Sequence, residues 1–310
     1  MTTPSDSAQP KQDAPLHAAS QLDATTCIVI INKDSGTVSE VWDEDFERRL
    51  LEALEKNGWA PTLKRVSGPE IEPAVREAQN SKVGAIITGG GDGTTTSVAG
   101  LSDTPLGILP FGTLNLAARD LGSPLDPLEA VKALRPGRTR AIDVLEVNGG
   151  ACLCMTVIGM YPELLDRSEE FHGKNWWIKF VRLSRQIYTS YRASPVLTVT
   201  FSTDEGETRS LRTRFMMLTP GEYQDEWGLL PRRSELSTGR CHAYVSKHLS
   251  RLSFLRIVVR FLTGRARRDP DLKIIEASKI QLSVKSKKSL KVAVDGELAR
   301  LSLPAEFDMQ

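Results

Sequence analysis

Large apolar residues are almost absent from residues 1–24, which are rich in Ser, Thr, Pro, Gln and Asp and are expected to form a disordered tail. The first apolar run, Cys27-Ile28-Val29-Ile30-Ile31, is short and β-branched and predicts a buried strand. From Trp42 the period lengthens: Trp42, Phe46, Leu50 and Leu54 recur every four residues and stop near Gly58, the pattern of an amphipathic helix closed by glycine. Strands are predicted at 83–88 and 106–109. Helices are predicted after Thr94, after Asn115 and over 127–134, where Asp126 supplies a cap and Pro127 the first turn. Strands alternating with helices imply a parallel, two-faced α/β sheet over residues 25–140.

Beyond about Arg140 the period shortens to two. Residues 142–147 followed by Asn148-Gly149 predict a hairpin, and strands are expected at 196–201 and 211–218 on either side of Asp204-Glu205-Gly206. Residues 280–284 and 290–294 alternate apolar with polar or small residues, as half-buried strands do. The expected architecture is therefore an α/β fold of two lobes with the active cleft between them. The first is a parallel-sheet nucleotide lobe, rejoined by the last residues, about 300–310. The second, over 141–299, is antiparallel and β-rich.

Composition changes this picture little. A chain of 310 residues with 25% charged residues and a net charge of +1 has no global attraction for nucleic acid or membrane, and no nucleic-acid partner is expected. Cys27, Cys152, Cys154 and Cys241 lack C-x-x-C spacing and are expected to be reduced thiols of a cytoplasmic protein. His17, His172, His242 and His248 show no metal-ligand spacing. No signal peptide or membrane span is recognisable, so a lipid would be met from the water side. One segment departs from neutrality. Residues 246–268 hold seven Lys or Arg and no acid, interleaved with apolar residues. Arg251, Arg256 and Arg260 would share one helical face and contact an anionic bilayer, at about 1 kcal/mol per charge. An ordinary packing helix with solvated arginines accounts for the same pattern. Likewise, Trp176-Trp177 suits an interfacial anchor or plain core.

The sharpest local feature is Gly89-Gly90-Gly91-Asp92-Gly93-Thr94, between a predicted strand and a predicted helix. Glycines let a backbone approach phosphate oxygens, and a helix N-terminus favours negative charge. Asp92 adds a carboxylate suited to Mg²⁺. A tight structural turn would use the same residues, but the position at the carboxyl end of a strand favours a ligand. A second turn, Pro110-Phe111-Gly112-Thr113-Leu114-Asn115, follows the next strand and would form another wall of the site.

These two turns, with Ile142-Asp143-Val144, Ile158-Gly159-Met160-Tyr161-Pro162 and Val294-Asp295-Gly296-Glu297, resemble in order the diacylglycerol kinase catalytic-domain family, which includes sphingosine, ceramide and bacterial lipid kinases. Asn32-Lys33-Asp34-Ser35-Gly36 resembles that family's first nucleotide loop. The glycine loop alone is shared with phosphofructokinases and NAD kinases, and the late Asp-Gly-Glu favours the lipid enzymes. The resemblance implies an ATP- and Mg²⁺-dependent kinase acting on a lipid hydroxyl, peripheral at the inner face of the membrane. It implies ATP contacts at Asn32, Ser35, Gly36, Gly89, Gly90, Gly91, Asp92, Gly93, Thr94, Gly112, Thr113 and Asn115. Asp92 and Asp143 would serve the metal, and Glu297 would be the catalytic base beside them. A homodimer is neither required nor excluded by these residues.

Three departures stand beside the resemblance. Leu116 occupies a position that is often Asp, Cys154 and Met155 stand where Asn is frequent, and Leu236-Ser237-Thr238-Gly239 replaces an acidic metal loop of some bacterial members. The alternatives are a kinase of a soluble acceptor such as NAD, and a catalytically weakened nucleotide- or lipid-binding protein.

Overall fold

Consecutive β-branched residues make both sides of a strand apolar, and the computed structural model, which describes residues 23–159, 194–204, 206–224, 232–247 and 250–310, buries both sides of Cys27 to Ile31. Residues 1–22, Met160-Tyr161-Pro162, Trp176-Trp177 and the side chain of Arg251 lie outside this description. Strand β1 (Asp23–Asn32) starts earlier than the pattern predicts. It lies between β2 (Ala60–Val66) and β3 (Val83–Gly90), and β4 (Leu106–Pro110) completes a parallel sheet of order β2-β1-β3-β4. Around it run helices α1 (Val38–Val41), α2 (Glu44–Lys56), α3 (Ile71–Asn80), α4 (Asp92–Leu101), α5 (Leu116–Asp120) and α6 (Pro127–Val131).

The two faces of β1 divide the core. Cys27, Val29 and Ile31 pack with Phe46, Leu50 and Leu54 of α2, while Ile28 and Ile30 pack with Ala74, Val75 and Ala78 of α3. Asp43 caps α2 by accepting the Phe46 N–H at 2.7 Å, and acidic residues in the first turn complement the helix dipole. Each large side chain that α2 buries contributes about 1.5–3 kcal/mol. Strand β2 and helix α3 have no counterpart in the sequence prediction. No residue of β2 is fully buried, so this edge strand lacks the apolar alternation that would reveal it.

Among the described residues the second lobe holds twelve strands: β5 (Leu145–Val147), β6 (Gly150–Cys152), β7 (Thr156–Gly159), β8 (Leu197–Thr203), β9 (Thr208–Thr213), β10 (Phe215–Thr219), β11 (Cys241–Ser246), β12 (Leu272–Ala277), β13 (Lys279–Val284), β14 (Ser289–Val294), β15 (Glu297–Ser302) and β16 (Ala305–Met309). They form two six-stranded antiparallel sheets, β12-β11-β10-β7-β14-β15 and β6-β5-β16-β13-β8-β9, around one apolar core. Helix α7 (Arg251–Leu262) follows β11.

Two expectations are corrected here. The last residues do not rejoin the nucleotide lobe, because β16 is held between β5 and β13. The single strand expected at 211–218 is split into β9 and β10, which belong to different sheets. Thr213 makes the corner, with its hydroxyl 2.6 Å from the Phe215 carbonyl and 2.7 Å from that of Ser246. The Asn148-Gly149 turn does close a hairpin, β5–β6, with positive φ at both residues (49° and 85°) as a type I′ turn requires.

Candidate active site

Three loops gather at the carboxyl edge of the parallel sheet. β3 ends at Gly90, and Gly91 opens α4 without any side-chain cap, which leaves the first N–H groups of a ten-residue helix available to an anion. The glycines before it are required by packing. A Cβ on Gly89 would lie 2.3 Å from Ile31 Cδ1, and one on Gly90 would lie 2.7 Å from Thr94. Gly112 packs backbone to backbone on Gly91, where a Cβ would come within 2.7 Å of the Gly91 Cα. Asn115, at φ 51°, closes its turn with both ends of its amide: Oδ1 accepts from Gly112 N–H and Nδ2 donates to Gly112 C=O, each at 2.7 Å. Thr113 is left exposed at the tip.

The first loop joins them through Asn32, whose Nδ2 donates to Thr94 Oγ1 at 2.9 Å while its Oδ1 accepts from Asp34 N–H at 3.0 Å. Ser35 Oγ lies 3.7 Å from the place of a Cβ on Gly91, and Gly36 faces open space. Structure therefore brings together Asn32, Ser35, Gly91, Thr94 and Gly112. The amides of Asn32 and Asn115 are occupied in shaping the loops.

The carboxylates are distributed less simply. Asp92 accepts from Ala117 N–H at 3.2 Å at the start of α5. Burial pushes its carboxyl up to about 6 and nearby Asp295 adds to this, against the opposing N–H groups of Ala117, Leu116 and Asn115. Such a carboxylate carries negative charge that its surroundings do not balance, which fits a divalent cation shared with phosphate oxygens. Among the described residues no three His, Cys, Asp or Glu side chains converge on a metal site, but Mg²⁺ at a nucleotide commonly takes only one or two carboxylates.

Asp143 has other employment. Its Oδ2 accepts from Thr238 N–H at 2.5 Å and Gly239 N–H at 2.7 Å, with Thr238 Oγ1 at 3.4 Å. The Leu236–Gly239 turn that replaces an acidic loop therefore donates hydrogen bonds to Asp143. Leu116 is buried with Leu153 and Cys154, with Met155 packed beside them, so two of the three departures from the family pattern meet in one apolar cluster.

Glu297 comes from the β14–β15 hairpin of the second lobe and lies over the phosphate loop. A Cβ on Gly93 would meet its carboxylate, so glycine at this position lets the carboxylate lie directly against the backbone of the loop. Two further features were given no role by the sequence, although Asp295 stands in the late Asp-Gly-Glu motif. Asp295 is 2% exposed and accepts hydrogen bonds from Leu153, Cys154 and Met155 N–H and from Thr96 Oγ1. Arg233 and Asp120 form an ion pair at 2.8 Å with side chains 1% and 3% exposed. Arg233 also donates to the carbonyls of Pro220 and Asp143.

Two of the arginines expected at a membrane, Arg256 and Arg260, are paired with acids of the same lobe. Arg256 donates to Asp269 at 2.9 and 3.1 Å and pairs with Asp271, and Arg260 lies 3.5 Å from Asp269, whose side chain is fully buried. The acids that neutralise the helix stand just beyond the stretch that lacks them. Among the described side chains of α7, Leu252, at 82%, and Val259, at 51%, are exposed. Among the described residues, no helix is long and apolar enough to cross a membrane.

Comparison with known proteins agrees with this geometry. Residues 26–147 match the profile of the diacylglycerol kinase catalytic domain. A diacylglycerol kinase of Bacillus subtilis is 26% identical over 290 residues, covering 90% of this chain and 91% of that one. A probable lipid kinase (YegS-like) of Pseudomonas aeruginosa is 39% identical over 101 residues, which span 31% of this chain and 33% of the relative. The crystal structure of a putative diacylglycerol kinase from Bacillus anthracis superposes with a TM-score of 0.67 at 20% identity, over 92% of this chain and 94% of that one, a likeness of fold. The loops that the profile spans gather at one sheet edge, residues 26–147 are similar to the diacylglycerol kinase catalytic domain, and the two-lobed fold is similar to that of these kinases over nearly the whole length of the chain.

Proposed function

We propose that the protein transfers the γ-phosphoryl group of ATP to a hydroxyl of diacylglycerol or a related lipid. The observation that carries this reading is the approach of Glu297, from the lobe opposite the nucleotide, to Gly93 in the phosphate loop. A carboxylate there can face an acceptor while the phosphates lie against the uncapped start of α4. In this scheme the phosphates rest on Gly91 to Thr94 and on Gly112 and Thr113, and the loop from Asn32 to Gly36 borders them. Mg²⁺, held by Asp92, would offset charge on the phosphates. The acceptor oxygen attacks the γ-phosphorus, its proton passes to Glu297, the bond to the bridging oxygen breaks, and ADP leaves. Asp143 shapes the Leu236–Gly239 turn in this scheme and does not hold the metal.

The lipid is reached at an anionic membrane surface, with Leu252 and Val259 entering the interface and Arg265 and Arg268, both exposed, at its rim. A second reading, a nucleotide-binding protein with little turnover, draws on the buried Leu116 at the edge of the Asp92 site. Labelled ATP offered with dioctanoylglycerol, sphingosine or NAD separates these readings. Phosphorylated dioctanoylglycerol or sphingosine is expected. Phosphorylated NAD alone overturns the lipid assignment, and bound ATP without any product favours the second reading.

A further inference from the structure

The side chain of Glu297 is exposed and, among the described residues, makes no hydrogen bond or ion pair, whereas its backbone is paired with Val294. Its place over Gly93 must therefore be set by the backbone that carries it. That backbone is fixed through the first residue of the hairpin turn. Asp295 adopts φ 47°, its N–H donates to Met155 C=O at 2.9 Å, and its carboxylate is buried. Oδ1 accepts from Cys154 and Met155 N–H at 2.8 Å, with Cys152 Sγ at 3.4 Å; Oδ2 accepts from Leu153 N–H at 2.7 Å and Thr96 Oγ1 at 2.6 Å. The three backbone donors and the Cys152 thiol belong to the second lobe. The remaining donor, Thr96, stands one turn beyond Gly93 on the helix whose start would border the phosphates.

We infer that Asp295 and Thr96 form a clasp between the lobes that positions Glu297 against the phosphate loop. The assignment rests on the kinase reading above. Its logic is mechanical: the hydroxyl of Thr96 ties the turn to α4, Gly296 at φ 89° lets the chain reverse, and Glu297 follows one residue later. Charge-assisted hydrogen bonds to a buried carboxylate are strong, and a base displaced by about 1 Å can lose 10²-fold in rate. Neither residue touches the reacting atoms, so both are positioning residues.

Thr96→Val removes the hydroxyl and keeps the side-chain shape. With dioctanoylglycerol in mixed micelles as acceptor, kcat is expected to fall by about 10- to 100-fold while KM for ATP changes less than about twofold, and Thr96→Ser is expected to restore turnover. An unchanged kcat, a matching loss of ATP affinity and thermal stability, or no rescue by Thr96→Ser overturns the clasp. A separate arm is independent of catalysis. Asp295→Asn leaves one acceptor oxygen facing three N–H donors, so amide hydrogen exchange at Leu153, Cys154, Met155 and Glu297 is expected to accelerate in the full-length protein. Wild-type protection at these amides also overturns the clasp. If the wild-type protein phosphorylates no lipid while exchange accelerates as expected, the kinase reading fails and the structural tie stands. If Asp295→Asn does not fold, the same exchange measurement is made on Thr96→Val at Glu297, with the same two outcomes.

Discussion

The two walls of the cleft are built on opposite principles. The wall proposed to hold the nucleotide consists of backbone: glycines at the ends of neighbouring parallel strands, packed so closely that Gly89, Gly90 and Gly112 have no space for a side chain. The acceptor wall consists of side-chain carboxylates, Glu297 and Asp295, delivered by a hairpin roughly two hundred residues from Thr96 in sequence and locked by tertiary hydrogen bonds. Tight backbone packing makes the first wall insensitive to charge, whereas the second depends on a few donors and acceptors. Asp92 stands where the walls meet, and its carboxyl responds to both: burial by the first and the charge of Asp295 from the second.

That contrast can be broken most severely at Asp92. Asp92→Asn is expected to lower lipid phosphorylation by at least about 10²- to 10³-fold, as losing a preorganised electrostatic group does, with the circular dichroism spectrum unchanged. Turnover near wild type would detach the glycine loop from the chemistry. Next in size is the buried pair of the two lobes. Arg233→Ala strands Asp120 in the interior and is expected to cost about 3–5 kcal/mol in urea unfolding, whereas a loss below about 1 kcal/mol would mean the pair is solvated in solution.

Proton linkage sharpens the comparison further. The Asp92 carboxyl is held at about 6 in the folded chain against an ordinary 3.8, so between these values the native state binds the extra proton. Stability from this group is therefore lost as pH rises from about 4 to about 6, by roughly 3 kcal/mol at most. Asp92→Asn is expected to flatten that part of the profile, and added Mg²⁺ should raise the melting temperature of the wild type near pH 7.5 and not that of the variant. Identical profiles for the two proteins would remove the burden placed on this carboxylate. The smallest effect concerns α7. Replacing Leu252 and Val259 with Asp is expected to reduce co-sedimentation with anionic vesicles several-fold without changing the melting temperature, and unchanged binding would exclude this face as the docking surface.

How far the sequence disclosed all this follows the same division. The parallel sheet was legible because Cys27 to Ile31 and residues 83–88 are apolar on both faces, and the nucleotide loops because close backbone approach demands glycine. Half-exposed β2 left no such trace, and the corner at Thr213 was hidden because a strand changing sheets keeps its apolar alternation across the bend. Asp295 stands in the late Asp-Gly-Glu motif, yet its role was hidden because its partners at 153–155 and 96 are distant in sequence. Arg256 and Arg260 looked free because Asp269 and Asp271 lie outside the basic stretch, and only the return of the chain toward β12 brings them together. Asp143 was assigned to a metal from the family pattern, whereas the N–H groups that claim its carboxylate come from a turn about ninety residues later.

Glu297 is the point at which the two walls must cooperate, and Glu297→Gln tests it with the least change of shape. Steady-state kinetics with ATP and dioctanoylglycerol should show turnover reduced by about 10²- to 10⁴-fold, the size of a general-base contribution, with KM for ATP nearly unchanged. Retained turnover in Glu297→Gln, with Asp143→Asn instead inactive while still binding ATP, would contradict the account and transfer the base to Asp143.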